Sequence, residues 1–259
     1  MPLERIAALD DPRLAVYRNL PQSKEAREQG RFVAEGMILV DRLLASEFPV
    51  ESVLLEEKYF EQYQRWQEQT RLYVVPNGLV EEIIGFNFHR GVLACSERPA
   101  PATLESMCQQ KQCLLVACAG VCDPQNLGGI IRNCAAFGAD GVLLDSSCCD
   151  PYSRRVMRVS MGSNLKVPIR ECEDLAGDLN ALKQLGVTVV ATTLDEATPV
   201  STLAKEARSV LLFGNEGHGL EERYLQQADR RATIPMALET DSLNVAVTSG
   251  IMLYAWRFG

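Results

Sequence analysis

Three polar turns carry the residues with the greatest chemical reach. The first, Gly120-Val-Cys-Asp-Pro-Gln-Asn126, follows the apolar run Cys113-Leu-Leu-Val-Ala-Cys-Ala. The second, Gly214-Asn-Glu-Gly-His-Gly-Leu220, follows Ser209-Val-Leu-Leu-Phe. The third leads from Ala232-Thr-Ile-Pro through a polar loop to Asp241-Ser242, ahead of a long apolar stretch. Each apolar run before a turn reads as a buried strand end. Glycine accepts positive φ and lets a ligand approach the backbone. Asn126 and Ser242 are N-cap residue types, so each is expected to start a helix and present free N–H groups. Loops of this kind after buried strands describe a ligand pocket at the carboxyl edge of an α/β sheet. The plain alternative for any one loop is a turn and nothing more. The spacing excludes the common nucleotide motifs: GNEGHGLEE lacks the third glycine of the dinucleotide fingerprint, and no lysine follows to make a phosphate loop.

The elements that must position these turns alternate in type. Strands are expected at 31–35, 50–55, 71–75 and 91–95, with helices at 37–45, 59–68 and 79–84, after an irregular or helical lead-in over the first 20 or so residues. That alternation argues for a small α/β domain. The Pro- and Ala-rich stretch from Glu97 has linker character, which gives an N-terminal domain over 1–100 and a second over 111–259. In the second, strands are expected at 113–119, 141–145, 165–169, 187–193 and 210–213, with helices at 127–137, 151–161 and 175–185. Gly128 and Gly129 in the first turn of the 127–137 helix cost it about 1 kcal/mol each relative to alanine, so something is expected to come close to the backbone there. Ile130, Cys134 and Phe137 share that helix's apolar face. Arg132 lies off it, readable as a solvated arginine or as a side chain aimed into a cleft. The closing helix, 243–256, is apolar almost all round and is expected to be buried on most sides.

Composition narrows the classes. The chain has 259 residues with a formal net charge of −8, which argues mildly against a nucleic-acid partner. A local basic face still suffices for phosphate contacts; Arg154, Arg155 and Arg158 on one helix, with Arg31 and Arg90, are candidates, and surface ion pairs are the alternative reading. The first residues carry charges throughout and no apolar run approaches the roughly 20 residues of a membrane helix, so a cytoplasmic protein is expected. Nine cysteines, with no CxxC and only His89 and His218 to complete a zinc site, read as reduced thiols and no metal.

Three stretches, NLGGIIRNCAAFGADGVLL (126–144), LLFGNEGHGL (211–220) and IPMALETDSLNVAVTSGIMLYAW (234–256), resemble the signature motifs of the SpoU/TrmH RNA ribose methyltransferases, of the SPOUT class. They occur in the family's order. FVAEGMILVDRLL and HRGVLA are similar to the family's small substrate-binding domain. The resemblance implies an α/β fold whose C-terminal domain threads a trefoil knot, a rare exception among folds. It also implies S-adenosylmethionine bound in the knot, a homodimer, and methylation of a ribose 2′-hydroxyl in RNA, ribosomal rather than transfer RNA. Gly214, Ile234 and Leu243 align with positions whose backbone contacts the donor's adenosine part, and Met236 and Gly217 sit beside them. Arg132 matches the catalytic arginine. A guanidinium is an unusual base because it stays protonated, so Arg132 either deprotonates through an RNA phosphate or positions the ribose. Asn126, Glu216, Ser242 and Asn244 match the other polar positions, the first two holding Arg132 and its loop, the last two orienting ribose or donor. A non-catalytic RNA-binding assembly factor that keeps the donor pocket is the rival reading, disfavoured by intact Arg132 and Asn126. A nucleotide-dependent oxidoreductase is disfavoured by the missing fingerprint.

Overall fold

Strands buried on both faces read as continuous apolar runs, and in an α/β chain such runs line up in parallel. A computed structural model describes residues 3–18, 27–84, 91–194, 196–238 and 241–259. His89 and Arg90 lie outside the described residues. The chain divides into two compact units, residues 1–99 with 152–165, and residues 100–151 with 166–259.

The first unit is a five-stranded mixed sheet. Its strands are β1 (Leu3–Arg5), β2 (Arg31–Glu35), β3 (Val50–Glu56), β4 (Arg71–Val75) and β5 (Val92–Glu97), in the order β1-β4-β3-β5-β2. β1, β4 and β3 are parallel, and β5 runs antiparallel to both β3 and β2. Helices α1 (Met37–Leu44) and α2 (Leu79–Ile84) bury Val40, Leu43, Val80 and Ile84. The lead-in supplies β1 and a 3-10 turn over Pro12–Tyr17 whose Leu14 and Tyr17 enter the core. Three residues are too few for a period-2 pattern to show in the sequence. The single polar helix expected over 59–68 breaks instead into short turns at 57–59, 60–63 and 64–66, none with a side-chain cap; without caps or a long apolar stripe, helix propagation gains little.

The second unit is a seven-stranded sheet, all parallel. β6 (Cys113–Cys118), β7 (Gly141–Leu144), β8 (Ile169–Glu171), β9 (Thr188–Thr192), β10 (Thr198–Pro199), β11 (Arg208–Phe213) and β12 (Arg230–Thr233) are ordered β10-β12-β9-β11-β6-β7-β8. β8 begins at Ile169 rather than 165, because Leu165 closes a 3-10 turn and Pro168, lacking an N–H, precedes the strand. Helices α3 (Pro124–Phe137), α5 (Leu175–Gln184) and α6 (Val245–Phe258) belong to this unit, and α4 (Arg154–Val159) to the first. The core gathers Leu115, Ala117, Leu143, Leu179, Val189, Val210 and Leu212 between the sheet and α5.

Two helix starts differ from expectation. α3 is capped by Asp123, whose side chain accepts from the Gln125 N–H, with Pro124 at the first helical position. Proline is pre-organised there, so the helix begins before Asn126 and leaves that side chain free. α6 is capped by Asn244 rather than Ser242; the Asn244 Oδ1 accepts from the N–H groups of Ala246 (2.9 Å) and Val247 (3.2 Å).

The close approach foreshadowed by Gly128-Gly129 is made by α6. A Cβ on Gly129 would stand 2.8 Å from the Ala246 Cβ. Across the same crossing the Asn133 amide donates to the Ala246 carbonyl (2.8 Å) and the Ser249 hydroxyl (3.0 Å). α6 is not buried on most sides, as its composition suggested. Ser249, Met252 and Leu253 are buried, whereas Val247, Ile251, Tyr254 and Phe258 are 51, 39, 58 and 65% exposed and run along one face.

Candidate active site

Because β6, β9, β11 and β12 are parallel, their carboxyl ends share one edge of the sheet. The chain leaves β6 toward β7 and β8, then returns to build β9, β12 and β10 on the far side of β11. Such a reversal leaves a crevice at the strand ends. A cavity of ≈ 580 Å³ lies there, within the usual size of cofactor pockets. Its floor is apolar, from Phe213, Leu225, Ala232 and Met252, and its rim is made by the turns after β9, β11 and β12 and the start of α6.

Gly214, Gly217, Ile234, Met236 and Leu243 all line this cavity, as do Asn126, Glu216, Ser242 and Asn244. Gly214 is glycine for a reason internal to the turn: a Cβ would lie 2.4 Å from the Gly219 carbonyl carbon, where the chain folds back in a bridge between Asn215 and Gly219. The Ser242 hydroxyl is exposed and, among the described residues, has no hydrogen-bond partner. Arg132 does not line the cavity. It is exposed on α3, about 9 Å along the helix axis from Asn126, and forms no hydrogen bond or ion pair among the described residues.

Three of the polar residues form one directed chain. Asn244 caps α6 through its Oδ1, so its amide nitrogen must donate, and it does so to the Asn126 Oδ1 at 2.8 Å. With that oxygen taken, the Asn126 Nδ2 donates in turn to the Glu216 Oε1 at 2.9 Å. A carboxylate accepts only, so the series ends there with every partner of the right kind. Asn126, Glu216 and Asn244 come from three separate turns, and the series fixes their mutual placement.

Sequence reasoning missed Thr192, Thr193 and Leu194, which line the cavity from the end of β9, and it missed Asn215. Asn215 stands between Gly214 and Glu216, and an asparagine in a glycine turn usually bonds its own backbone; that was the available signal. It does so here, and it also reaches the Gly120 carbonyl at 2.7 Å. The basic candidates resolve differently. Arg154 and Arg158 both pair with the buried Glu35, and Arg31 pairs with Glu51 at 2.8 Å, so the ion-pair reading holds for these three.

The cavity suits a nucleoside-type sulfonium donor. Gly214, Ile234 and Leu243 stand in its wall, its floor is apolar, and Glu216 and Asp241 supply negative charge. Comparison with known proteins agrees. Residues 113–254 match the SpoU rRNA Methylase family, and residues 11–94 match the MRM3-like substrate binding domain. A Mycobacterium bovis protein named as an uncharacterized tRNA/rRNA methyltransferase is 33% identical, over 95% of this chain and 88% of its own length. The 23S rRNA (guanosine(2553)-2′-O)-methyltransferase of Bacillus subtilis is 26% identical, over 98% of this chain and 100% of its own. The crystal structure of an AdoMet-bound rRNA methyltransferase from Sinorhizobium meliloti superposes with a TM-score of 0.87 at 30% identity, covering 98% of this chain and 97% of that one. Fold and site thus define an S-adenosylmethionine-dependent RNA 2′-O-methyltransferase. The chain belongs to the SpoU rRNA Methylase family. Among the described residues no helix is long and apolar enough to cross a membrane.

Proposed function

We propose that the protein methylates a ribose 2′-hydroxyl of ribosomal RNA, as a homodimer in the cytoplasm, with Arg132, Asn126, Glu216, Ser242 and Asn244 as its reaction residues. The observation that carries this reading is the Asn244–Asn126–Glu216 series on the rim of a cofactor-sized cavity. S-adenosylmethionine, when bound, supplies an electrophilic methyl group on sulfur. A ribose hydroxyl that accepts a methyl group must also lose its proton. Gly214, Gly217, Ile234, Met236 and Leu243 hold the donor. Ser242, with its hydroxyl unengaged, is placed to orient the incoming ribose. Among the described residues Arg132 has no partner to neutralise it, so it is available to an RNA phosphate; it holds the ribose and its phosphate while the proton departs to that phosphate or to solvent. Ribosomal RNA is favoured by the relative that modifies 23S rRNA and by the separate N-terminal substrate domain. The apolar face of α6 supports the dimer, since a row of exposed valine, isoleucine, tyrosine and phenylalanine marks an association surface. The trefoil threading implied by the motifs is supported by α6 returning to α3 after the chain has passed beyond β9.

The test is a map of ribose methylation in ribosomal RNA from cells with and without the protein, joined to the Arg132→Ala enzyme in vitro. One 2′-O-methyl mark should vanish with the protein. Arg132→Ala should lose methyl transfer by at least a hundredfold while its donor affinity stays within threefold of wild type. Normal transfer by Arg132→Ala would remove Arg132 from the mechanism.

A further inference from the structure

The turn that leads into α3 is gripped at one residue, on either side of its Cα. Gly120, with φ +74°, donates its N–H to the Asp145 Oδ1 at 3.0 Å, and its carbonyl accepts from the Asn215 Nδ2 at 2.7 Å. Asp145 sits at the carboxyl end of β7, 8% exposed, and also accepts from the N–H groups of Ser147 (3.1 Å) and Cys148 (3.0 Å). Asn215 uses its other end elsewhere. Its Oδ1 accepts from the N–H groups of Gly217 (2.8 Å) and His218 (3.2 Å). One side chain therefore closes the glycine turn of the donor cavity and fastens the turn that carries Asn126.

We propose that Asn215, acting with Asp145 on the backbone of Gly120, is the positioning residue that keeps the Asn126 turn and α3 in register with the donor cavity. The inference rests on the methyltransferase reading above and deepens it. A primary amide is the one uncharged side chain of this length that donates on one side and accepts on the other. The two jobs can be separated. Asn215→Asp keeps an acceptor for Gly217 and His218 but has no donor for the Gly120 carbonyl, and it sets a negative charge against that oxygen. The glycine turn, and with it donor binding, should survive; the placement of Asn126 and of the helix bearing Arg132 should not. Misplacement of catalytic groups by about 1 Å reduces rates by up to about a hundredfold.

The experiment measures three quantities on the full-length protein: the Kd for S-adenosylmethionine by calorimetry, kcat on the methylated RNA, and amide hydrogen exchange by mass spectrometry. For Asn215→Asp the expected result is a Kd within threefold of wild type and a kcat at least tenfold lower. Exchange should rise at least tenfold at 120–122 and stay unchanged at 216–219. A kcat within threefold, or a Kd that rises in step with the fall in kcat, overturns the proposal. So does unchanged exchange at 120–122. A second pair guards against a variant that fails to fold. Asp145→Ala should show the same split, and Asp145→Asn, which retains an acceptor for the Gly120 N–H, should return kcat to within threefold of wild type. Failure of that rescue counts against the proposal. The exchange arm needs no substrate, so it judges the clamp even if the wild-type protein transferred no methyl group to RNA; that result would sink the functional reading and leave the clamp to stand or fall on its own.

Discussion

Replacing Asn244 tests the directed hydrogen-bond series, because two of its contributions can be separated. In Asn244→Ala the N-cap of α6 is lost, a change that costs about 1 kcal/mol. The Asn126 Oδ1 also loses its donor, and an unsatisfied acceptor on a side chain this buried costs about 1–3 kcal/mol more. The sum is about 2–4 kcal/mol, which for a chain of this size is a fall in Tm of about 5–15 °C. Asn244→Asp behaves differently. Its carboxylate still accepts from the Ala246 and Val247 N–H groups, and negative charge at a helix N-terminus is worth about 0.3–1 kcal/mol. Only the bond to Asn126 is forfeited, so the loss should be about half that of Asn244→Ala. Differential scanning calorimetry without donor measures both. If Asn244→Asp melts as low as Asn244→Ala, the cap contributes nothing and the separation fails; if Asn244→Ala melts within about 1 °C of wild type, the series contributes nothing to the fold and the reasoning fails.

Other expectations follow from the same geometry. Gly129→Ala should destabilise the protein by about 1–2 kcal/mol despite alanine's better helix propensity, since overpacking against Ala246 outweighs a gain of about 1 kcal/mol; adding Ala246→Gly should restore most of the loss in urea unfolding. Ile251→Lys should place a charge in the exposed face of α6 and, on the proposal that this face joins two copies, leave only monomer in sedimentation equilibrium, with the fold retained by circular dichroism. Burial alone would raise the Asp178 carboxyl, but hydrogen bonds from Arg170 (2.7 and 3.0 Å) and Cys172 outweigh it and hold it below the usual aspartate value of 3.8. A depressed folded value gives stability that is present above the unfolded value and lost as pH falls through the folded one. The urea midpoint should therefore drop more steeply below about pH 4 in the wild type than in Asp178→Asn.

Much of this architecture was legible because its signals are local. The runs at 113–118, 141–144 and 210–213 are uninterrupted and apolar, as strands buried on both faces of a sheet are. Glycine and asparagine in the turns marked the cavity's edge. What escaped was whatever depends on distant partners. Asn126 and Ser242 both look like N-caps, yet Asp123 and Asn244 take that role, because the Asn126 side chain is occupied by residues some ninety and more than a hundred positions away. The glycine pair at 128–129 announced a close neighbour without naming it; Ala246 is that neighbour. The apolar composition of α6 suggested enclosure, but composition cannot distinguish a face covered by the same chain from one left open. The second role of Asn215 was invisible for a like reason: nothing near it in sequence refers to Gly120.

The hydrogen bond from Asn244 to Asn126 joins residues 118 apart. During translation the first partner emerges long before the second is made, and the final wall of the cavity arrives with α6. A chain cut before α6 would carry the sheet and the substrate domain but no closed receptacle for the methyl donor. The receptacle is thus assembled only once α6 has been made, and removal of that helix should cost donor binding while the parallel sheet persists.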